Sequence, residues 1–105
     1  GIQAVFDELP KSFSTPELKL ELQEGEQHTF IEEFLSKAIF DGARINTIDG
    51  LRADWPTGWG LVRASNTTPV LVLRFEAENQ KELTEIQRQF KEQMLSVRDD
   101  LQIPF

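Results

Sequence analysis

The sequence predicts an α+β fold in which an antiparallel sheet of four or five strands carries two helices packed on one face. Three observations lead to this prediction. One segment alternates strictly between apolar and polar residues, two segments repeat apolar residues at helical spacing, and four short apolar runs follow one another between them. Short connections join neighbouring strands antiparallel, and amphipathic helices bury their apolar faces against a sheet. The predicted order is β-α-β-β-β-β-α.

The composition is that of a single acidic globular domain. The chain has 105 residues, 39% hydrophobic and 28% charged, which is enough for one core. A net charge of −7 disfavours nucleic acid or an anionic membrane as partner, because both require a basic face. There is no cysteine, which excludes disulfides and thiolate metal sites and is compatible with the cytoplasmic location that we expect. No apolar run approaches the roughly 20 residues that cross a bilayer.

Residues 1–16 are predicted to be the remnant of a helix followed by an interdomain linker. Apolar residues recur at helical spacing up to Pro10, and a connector over residues 10–16 has a proline at each end. These apolar residues are Ile2, Val5, Phe6 and Leu9. Together with a start at Gly1, this pattern leads us to expect a processed or cut piece of a longer protein. An N-terminal arm packed on its own domain is the alternative.

The first full strand and the first helix are predicted next. Residues 17–22 alternate as a half-buried strand does. Residues 24–40 then change to helical period, and Gly42 is expected to end that helix. The predicted core stripe of this helix consists of Phe30, Ile31, Phe34, Leu35, Ala38 and Ile39.

Four strands are predicted at residues 44–48, 51–55, 59–64 and 70–76. Asp49-Gly50 favours a two-residue hairpin between the first two, since both central positions need positive φ. The last strand is apolar on both faces, which predicts partial cover on both sides. One face carries Leu71, Leu73 and Phe75, and the other carries Val70, Val72 and Arg74.

The final helix is predicted to begin after Asn79, because Asn79 and Glu82 have the spacing of a capping box. Its apolar stripe recurs at steps of three and four residues. The stripe consists of Leu83, Ile86, Phe90, Met94, Val97 and Leu101.

The connection over residues 63–69 is the candidate functional site. It places one guanidinium, three hydroxyls and one amide between two strands. A guanidinium offers paired planar donors, and hydroxyls add donors around it, so the set suits a phosphate oxyanion. No nucleophile stands beside a base, which predicts binding and no catalytic residue. The alternative is an ordinary hairpin loop, since serine, asparagine and threonine are common turn formers.

Two nearby arginines are predicted to lie outside the site. Arg52 and Arg74 are isolated charges on strands, and such arginines usually pair with acidic side chains at the surface. They could still contribute positive potential near the 63–69 connection.

Two stretches also resemble a known family. They are residues 49–52, Asp-Gly-Leu-Arg, and residues 58–71, Gly-Trp-Gly-Leu-Val-Arg-Ala-Ser-Asn-Thr-Thr-Pro-Val-Leu. They resemble the C-terminal domain of the α-D-phosphohexomutases, and within that family the bacterial phosphomannomutase/phosphoglucomutases. Weaker similarity extends over nearly the whole chain. Thr68 departs from the glutamate that many relatives have before the proline, which bears on the subgroup.

The resemblance implies a TATA-binding-protein-like fold and a phosphate-binding C-terminal domain over residues 17–105. Family members are isomerases of carbohydrate metabolism. They arrange four domains around a cleft and interconvert hexose 1-phosphates and 6-phosphates, of mannose or glucose, through a bisphosphorylated sugar. Carried over by motif, Arg63, Ser65, Asn66 and Thr67 would contact the phosphate that is not transferred. Swinging on the 10–16 linker would close the cleft.

The resemblance also implies what this chain would lack. The phosphoserine, the Mg²⁺ site and the sugar-reading loop belong to the other three domains, which would be its partners. We therefore expect no cofactor here, and we expect the isolated domain to be inactive. The full enzyme would need Mg²⁺ and a bisphosphorylated hexose. A rival hypothesis is a non-enzymatic interaction module that docks a protein on its uncovered sheet face.

Overall fold

The structure is a computed structural model that describes residues 13–105. Its strands are β1 (Phe13–Ser14), β2 (Leu18–Glu21), β3 (Arg44–Asn46), β4 (Leu51–Trp55), β5 (Gly58–Ala64) and β6 (Val70–Ala77). Its helices are α1 (Glu26–Lys37) and α2 (Gln80–Val97). The helix predicted up to Pro10 lies outside the described residues.

All six strands form one antiparallel sheet in the order β1-β6-β5-β4-β3, with β2 also paired to β6. β1 and β2 share one edge of β6: β1 pairs with residues 76–77 and β2 pairs with residues 70–73. The predicted α+β class is confirmed. The additional strand is β1, which falls inside the predicted connector.

The end of that connector is tied to the sheet. The Thr15 N–H donates to the Phe75 carbonyl at 3.0 Å, and the Thr15 hydroxyl accepts from the Phe75 N–H at 3.2 Å. Pro16 stands between β1 and β2, where its missing N–H fits a break in an edge strand. Residues 13–15 are therefore part of the folded unit, and the division at residue 16 stays a prediction.

The strand register separates a helix face from an outer face, which is the sheet face opposite the helices. Leu18, Leu73, Val62 and Leu51 stand in one row across four strands on the helix face. Both helices cover this row and bury their apolar stripes against it. The helical part of that core consists of Phe30, Ile31, Phe34, Leu83, Ile86, Phe90 and Met94.

Gly60 lets α2 approach the sheet closely. A Cβ at this position would lie 2.5 Å from Cε1 of Phe90 and 2.9 Å from Cδ1 of Phe75. The Phe90 ring therefore occupies the place of a side chain on β5. It also packs against Phe40, with ring centroids 4.5 Å apart, which joins the chain beyond α1 to the same cluster.

The first helix is shorter than predicted. Gly25 precedes α1 in a left-handed conformation at φ +83°, and Ala38 is extended after its last residue. Gly42, at φ +77°, lies in a turn beyond the helix. The prediction that Gly42 ends the helix is therefore wrong.

Part of the predicted core stripe of this helix lies at the surface. Leu35 and Ile39 are 38% and 69% exposed, so the prediction that they belong to the core is wrong. The Ile39 N–H donates to Oε1 of Gln93 at 2.9 Å. This contact with α2 takes the place of a further helical turn.

The connection between β3 and β4 is longer than the predicted two-residue hairpin. Asn46 pairs with Arg52, and residues 47–50 form the loop before β4 begins. Oδ1 of Asn46 accepts from the Ile48 N–H at 2.9 Å, so the turn begins at Asn46, ahead of the Asp49-Gly50 pair. The two-residue prediction is therefore wrong, although Gly50 does have a positive φ of 75°.

Two predictions about the second half of the chain are confirmed. Oδ1 of Asn79 accepts from the Glu82 N–H at 2.8 Å and caps α2. Val70 and Val72, on the outer face, are only 8% and 4% exposed, so β6 is covered on both sides.

Within residues 13–105, no helix has the length and apolar character needed to cross a membrane.

The fit of Phe90 over Gly60 gives a testable prediction. Gly60→Ala should lower the free energy of unfolding by about 1–3 kcal/mol, because the methyl group overlaps the ring. Adding Phe90→Leu should cost less than the sum of the two single changes, since the smaller side chain makes room. Urea unfolding of the four proteins in this cycle measures the coupling.

Gly25→Ala is the matched control, because a Cβ there meets nothing within 4 Å. Its cost should come from the positive φ alone and should add to that of Phe90→Leu. Additive costs for the Gly60 cycle would contradict the packing of Phe90 over Gly60.

Candidate functional site

Residues 65–69, here called the 65–69 loop, join β5 to β6 at one end of the sheet. Two backbone hydrogen bonds close the loop: the Ser65 N–H donates to the Val70 carbonyl at 3.0 Å, and the Val70 N–H donates to the Thr68 carbonyl at 2.8 Å. The Leu22 N–H donates to the Pro69 carbonyl at 2.8 Å and ties the loop to the end of β2. The loop is thus held by both of the strands that flank β6 at this end.

Ser65 organises the loop from inside. Its side chain is buried, and its Oγ accepts from the N–H groups of Thr67 and Thr68, each at 3.2 Å. The Thr68 hydroxyl donates to the same oxygen at 3.2 Å. The predicted site residue Ser65 therefore shapes the turn, while Asn66 and Thr67 lie exposed on it.

Arg63 lies on β5 just before the loop, on the outer face beside Val72. Its Nη2 is 3.9 Å from Oε1 of Glu17, and the two side chains are 35% and 46% exposed. This separation is too long for a hydrogen bond, and exposed ion pairs contribute little. The guanidinium keeps donors that this carboxylate does not satisfy.

Gly50 fixes the neighbouring loop against the same stretch of β5. A Cβ at Gly50 would lie 2.2 Å from the Val62 carbonyl oxygen and 2.7 Å from Cα of Arg63. The 47–50 loop therefore touches the backbone that carries Arg63. Glycine meets both requirements here, the close approach and the positive φ.

Gln27 is a residue of the site that the sequence patterns did not reveal. It is 6% exposed, and its Nε2 donates to the carbonyls of Ser65 and Thr68 at 3.3 and 3.2 Å. One signal is present: Gln27 continues the helical spacing of Phe30 and Ile31 on the buried face of α1. A polar residue in an apolar stripe needs a polar partner, but the spacing does not identify that partner.

The outer face carries further guanidinium groups around Trp59. The Arg52 guanidinium lies 4.2 Å and that of Arg74 5.9 Å from the centre of the Trp59 ring. Arg52 also binds the Asp54 carboxylate with two nitrogens at 3.1 to 3.2 Å. This contact agrees with the prediction that Arg52 pairs with an acidic side chain.

No metal centre is found in the part of the chain that the structure describes. No group of three or more histidine, cysteine, aspartate or glutamate residues there could hold an ion. His28 is an exposed residue on α1. What the described site can do is donate hydrogen bonds from Arg63, Asn66 and Thr67 to an anion.

Comparison with known proteins decides the family. The profile described as "Phosphoglucomutase/phosphomannomutase, C-terminal domain" matches residues 17–93. The chain belongs to this family. The resemblance predicted from residues 49–52 and 58–71 is confirmed.

Individual relatives agree with the family match. Phosphomannomutase/phosphoglucomutase of Pseudomonas syringae pv. tomato is 48% identical over 101 residues, which cover 96% of this chain and 22% of that protein. Phosphoglucomutase of Neisseria gonorrhoeae is 58% identical over 89 residues, which cover 83% of this chain and 19% of that protein.

A solved structure shares the fold. A phosphoglucomutase/phosphomannomutase family protein from Burkholderia thailandensis superposes with a TM-score of 0.81 and is 44% identical, covering 92% of this chain and 20% of that one. The chain thus spans about a fifth of the length of these relatives.

The long Arg63–Glu17 contact predicts that the pair does not support the fold. Glu17→Gln should change the free energy of unfolding by less than about 0.5 kcal/mol, because both groups are partly exposed. Urea unfolding at low salt measures the change, with Glu33→Gln, in an exposed pair with Lys37 on α1, as the matched control. A loss above about 1 kcal/mol would mean that Arg63 is committed to Glu17.

Proposed function

We propose that this domain holds the phosphate that is not being transferred while a phosphohexomutase interconverts hexose 1-phosphates and 6-phosphates. One observation supports the proposal above the others. The 65–69 loop uses the Ser65 hydroxyl for its own turn and leaves Asn66 and Thr67 exposed, beside an arginine that is only loosely paired.

The chemistry of these groups matches a phosphate monoester. The Arg63 guanidinium can donate two parallel hydrogen bonds to phosphate oxygens, and the Asn66 amide and Thr67 hydroxyl can add neutral ones. If Ser65 also binds the phosphate, it would do so by donating its hydroxyl hydrogen, because its Oγ already accepts hydrogen bonds within the turn. The site works locally, because the chain as a whole carries a net charge of −7.

The free energies of the hydrogen bonds and of association set the expected affinity. Hydrogen bonds to charged groups contribute about 1.5–3 kcal/mol each, while association costs about 4 kcal/mol or more. A few such contacts leave a dissociation constant of about 1 mM for the isolated domain. In the parent enzyme the remaining affinity would come from the other walls of the cleft.

The contribution of the domain to the reaction is then orientation. Holding the distal phosphate fixes the sugar relative to the phosphate that moves, which lowers the entropic part of the barrier. In the parent enzyme the phosphoserine and Mg²⁺ would belong to other domains, and the bisphosphorylated hexose would lie in the cleft that this domain helps to form. Because residues 13–15 are paired with β6, they would move together with the domain in a closing motion.

The rival function, docking of a protein on the outer face, has less support. Trp59, Val70 and Val72 on that face are each less than a tenth exposed. They therefore offer little apolar area to a partner, and protein interfaces usually bury such area at their centre.

Titration of the domain with glucose 1-phosphate tests phosphate binding. Amide shifts should move at residues 63–68 with a dissociation constant of about 1 mM. Arg63→Lys should weaken binding, because a single ammonium loses the paired geometry. Arg88→Lys, an exposed change on α2, should not. Absence of shifts in the loop would contradict the site, and micromolar affinity would contradict the shared-cleft account.

A second prediction concerns the parent enzyme. Arg63→Ala should lower kcat/KM for glucose 1-phosphate by about 10- to 100-fold, which corresponds to one or two lost charge-assisted bonds. Steady-state kinetics measure this, with Arg88→Ala as the control. An unchanged kcat/KM would count against a role for Arg63 in holding substrate.

A further inference from the structure

We infer that Gln27 is a positioning residue: from α1, its side-chain amide holds the 65–69 loop in the conformation that presents Asn66 and Thr67 to a phosphate. The predicted effect of Gln27 on phosphate binding rests on the proposed function. The contacts themselves do not depend on that function.

The geometry joins parts of the chain that are far apart in sequence. Gln27 lies 38 residues before Ser65 and 41 before Thr68, and its Nε2 donates to both carbonyls. A neutral amide has two N–H donors, so one side chain can serve both ends of the turn. The hydrogen bonds of Gln27 thereby oppose opening of the loop.

The same contacts turn two carbonyl oxygens toward α1. An oxygen of this kind carries a partial negative charge and would repel a phosphate at the loop surface. With the Ser65 and Thr68 carbonyls directed to Gln27, the exposed side of the turn is left to the side chains of Asn66 and Thr67.

The other end of the Gln27 amide argues against a purely stabilising role. Its Oε1 is buried and has no hydrogen-bond partner among the described residues. A buried acceptor without a partner lowers the stability of the fold. Rotating the amide would place Oε1 against the Ser65 and Thr68 carbonyls, which cannot donate a hydrogen bond. The amide is therefore oriented by the need of these carbonyls for a donor. An unsatisfied buried acceptor of this kind is typical of a functional site.

The first turn of α1 gives Gln27 a fixed base. Oε1 of Glu26 accepts from the Gln23 N–H at 2.9 Å and lies 3.3 Å from Nη1 of Arg98. Arg98 also donates to the Asp100 carboxylate at 2.9 and 3.0 Å, and these hydrogen bonds lower the pKa of Asp100. The residue beside Gln27 is thus linked to the segment after α2.

Three variants of the 105-residue chain test the inference. Gln27→Met keeps the length of the side chain and removes both donors. Gln27→Lys keeps donors and removes the unpaired acceptor. Arg88→Lys is the control on a distant helix. Each is titrated with glucose 1-phosphate and, separately, with inorganic phosphate, and amide exchange is measured at Thr67 and Thr68.

Gln27→Met should weaken binding of both anions about tenfold, as expected when the binding conformation is no longer held in advance. It should also speed exchange at Thr67 and Thr68, while amide shifts in β4 stay unchanged. Gln27→Lys should restore slow exchange and binding. If Gln27 only stabilised the fold as a whole, Gln27→Lys would not restore exchange at Thr67 and Thr68 and anion binding specifically. Wild-type exchange and affinity in Gln27→Met would overturn the inference.

The experiment also distinguishes failure of the proposed function from failure of the inference about Gln27. If the wild-type chain binds neither anion, the proposed function fails, and exchange at Thr67 and Thr68 still decides whether Gln27 holds the loop. If Gln27→Met does not fold, Gln27→Glu replaces it, because its carboxylate at neutral pH faces the same carbonyls. Unchanged loop exchange in that variant would overturn the inference as well.

Discussion

The pairing of β5 with β6 is the constraint on which the rest of the structure depends. Seven consecutive residue pairs join these strands, from Gly58 with Ala77 to Ala64 with Leu71. This register puts Leu73 and Phe75 against the helices and Arg63 on the outer face. A slip by one residue would reverse both assignments. The core and the candidate site therefore follow from the same set of backbone hydrogen bonds.

The site lies where this pairing ends and the chain reverses. A loop between two well-paired strands has its ends fixed, so few additional contacts define its conformation. Ser65 supplies these from within and Gln27 from outside. An acidic chain can bind an anion at such a place because donors within hydrogen-bonding distance act more strongly than screened charges farther away.

The sequence predicts those elements whose signal is local. Three features are visible in short windows: the α2 cap at Asn79, the two apolar faces of β6 and the family motif in the 65–69 loop. Strand β1 is not, because two residues carry no period. The length of the 47–50 loop depends on the Asn46 side chain, and the exposure of Ile39 depends on where α2 lies. Helical spacing indicates that Gln27 is buried, but it does not identify the partners of its amide, which are 38 and 41 residues away.

The residues that shape the loop differ from those that we propose contact a ligand. Ser65 and Gln27 are buried and satisfy backbone groups, whereas Asn66 and Thr67 are exposed and Arg63 is partly exposed. Ligand donors that are held by a second set of residues lose little conformational freedom when they bind. Such preorganisation matters most for a domain whose own affinity is weak, since its value to the parent enzyme would lie in the direction of the phosphate and not in the strength with which it is held.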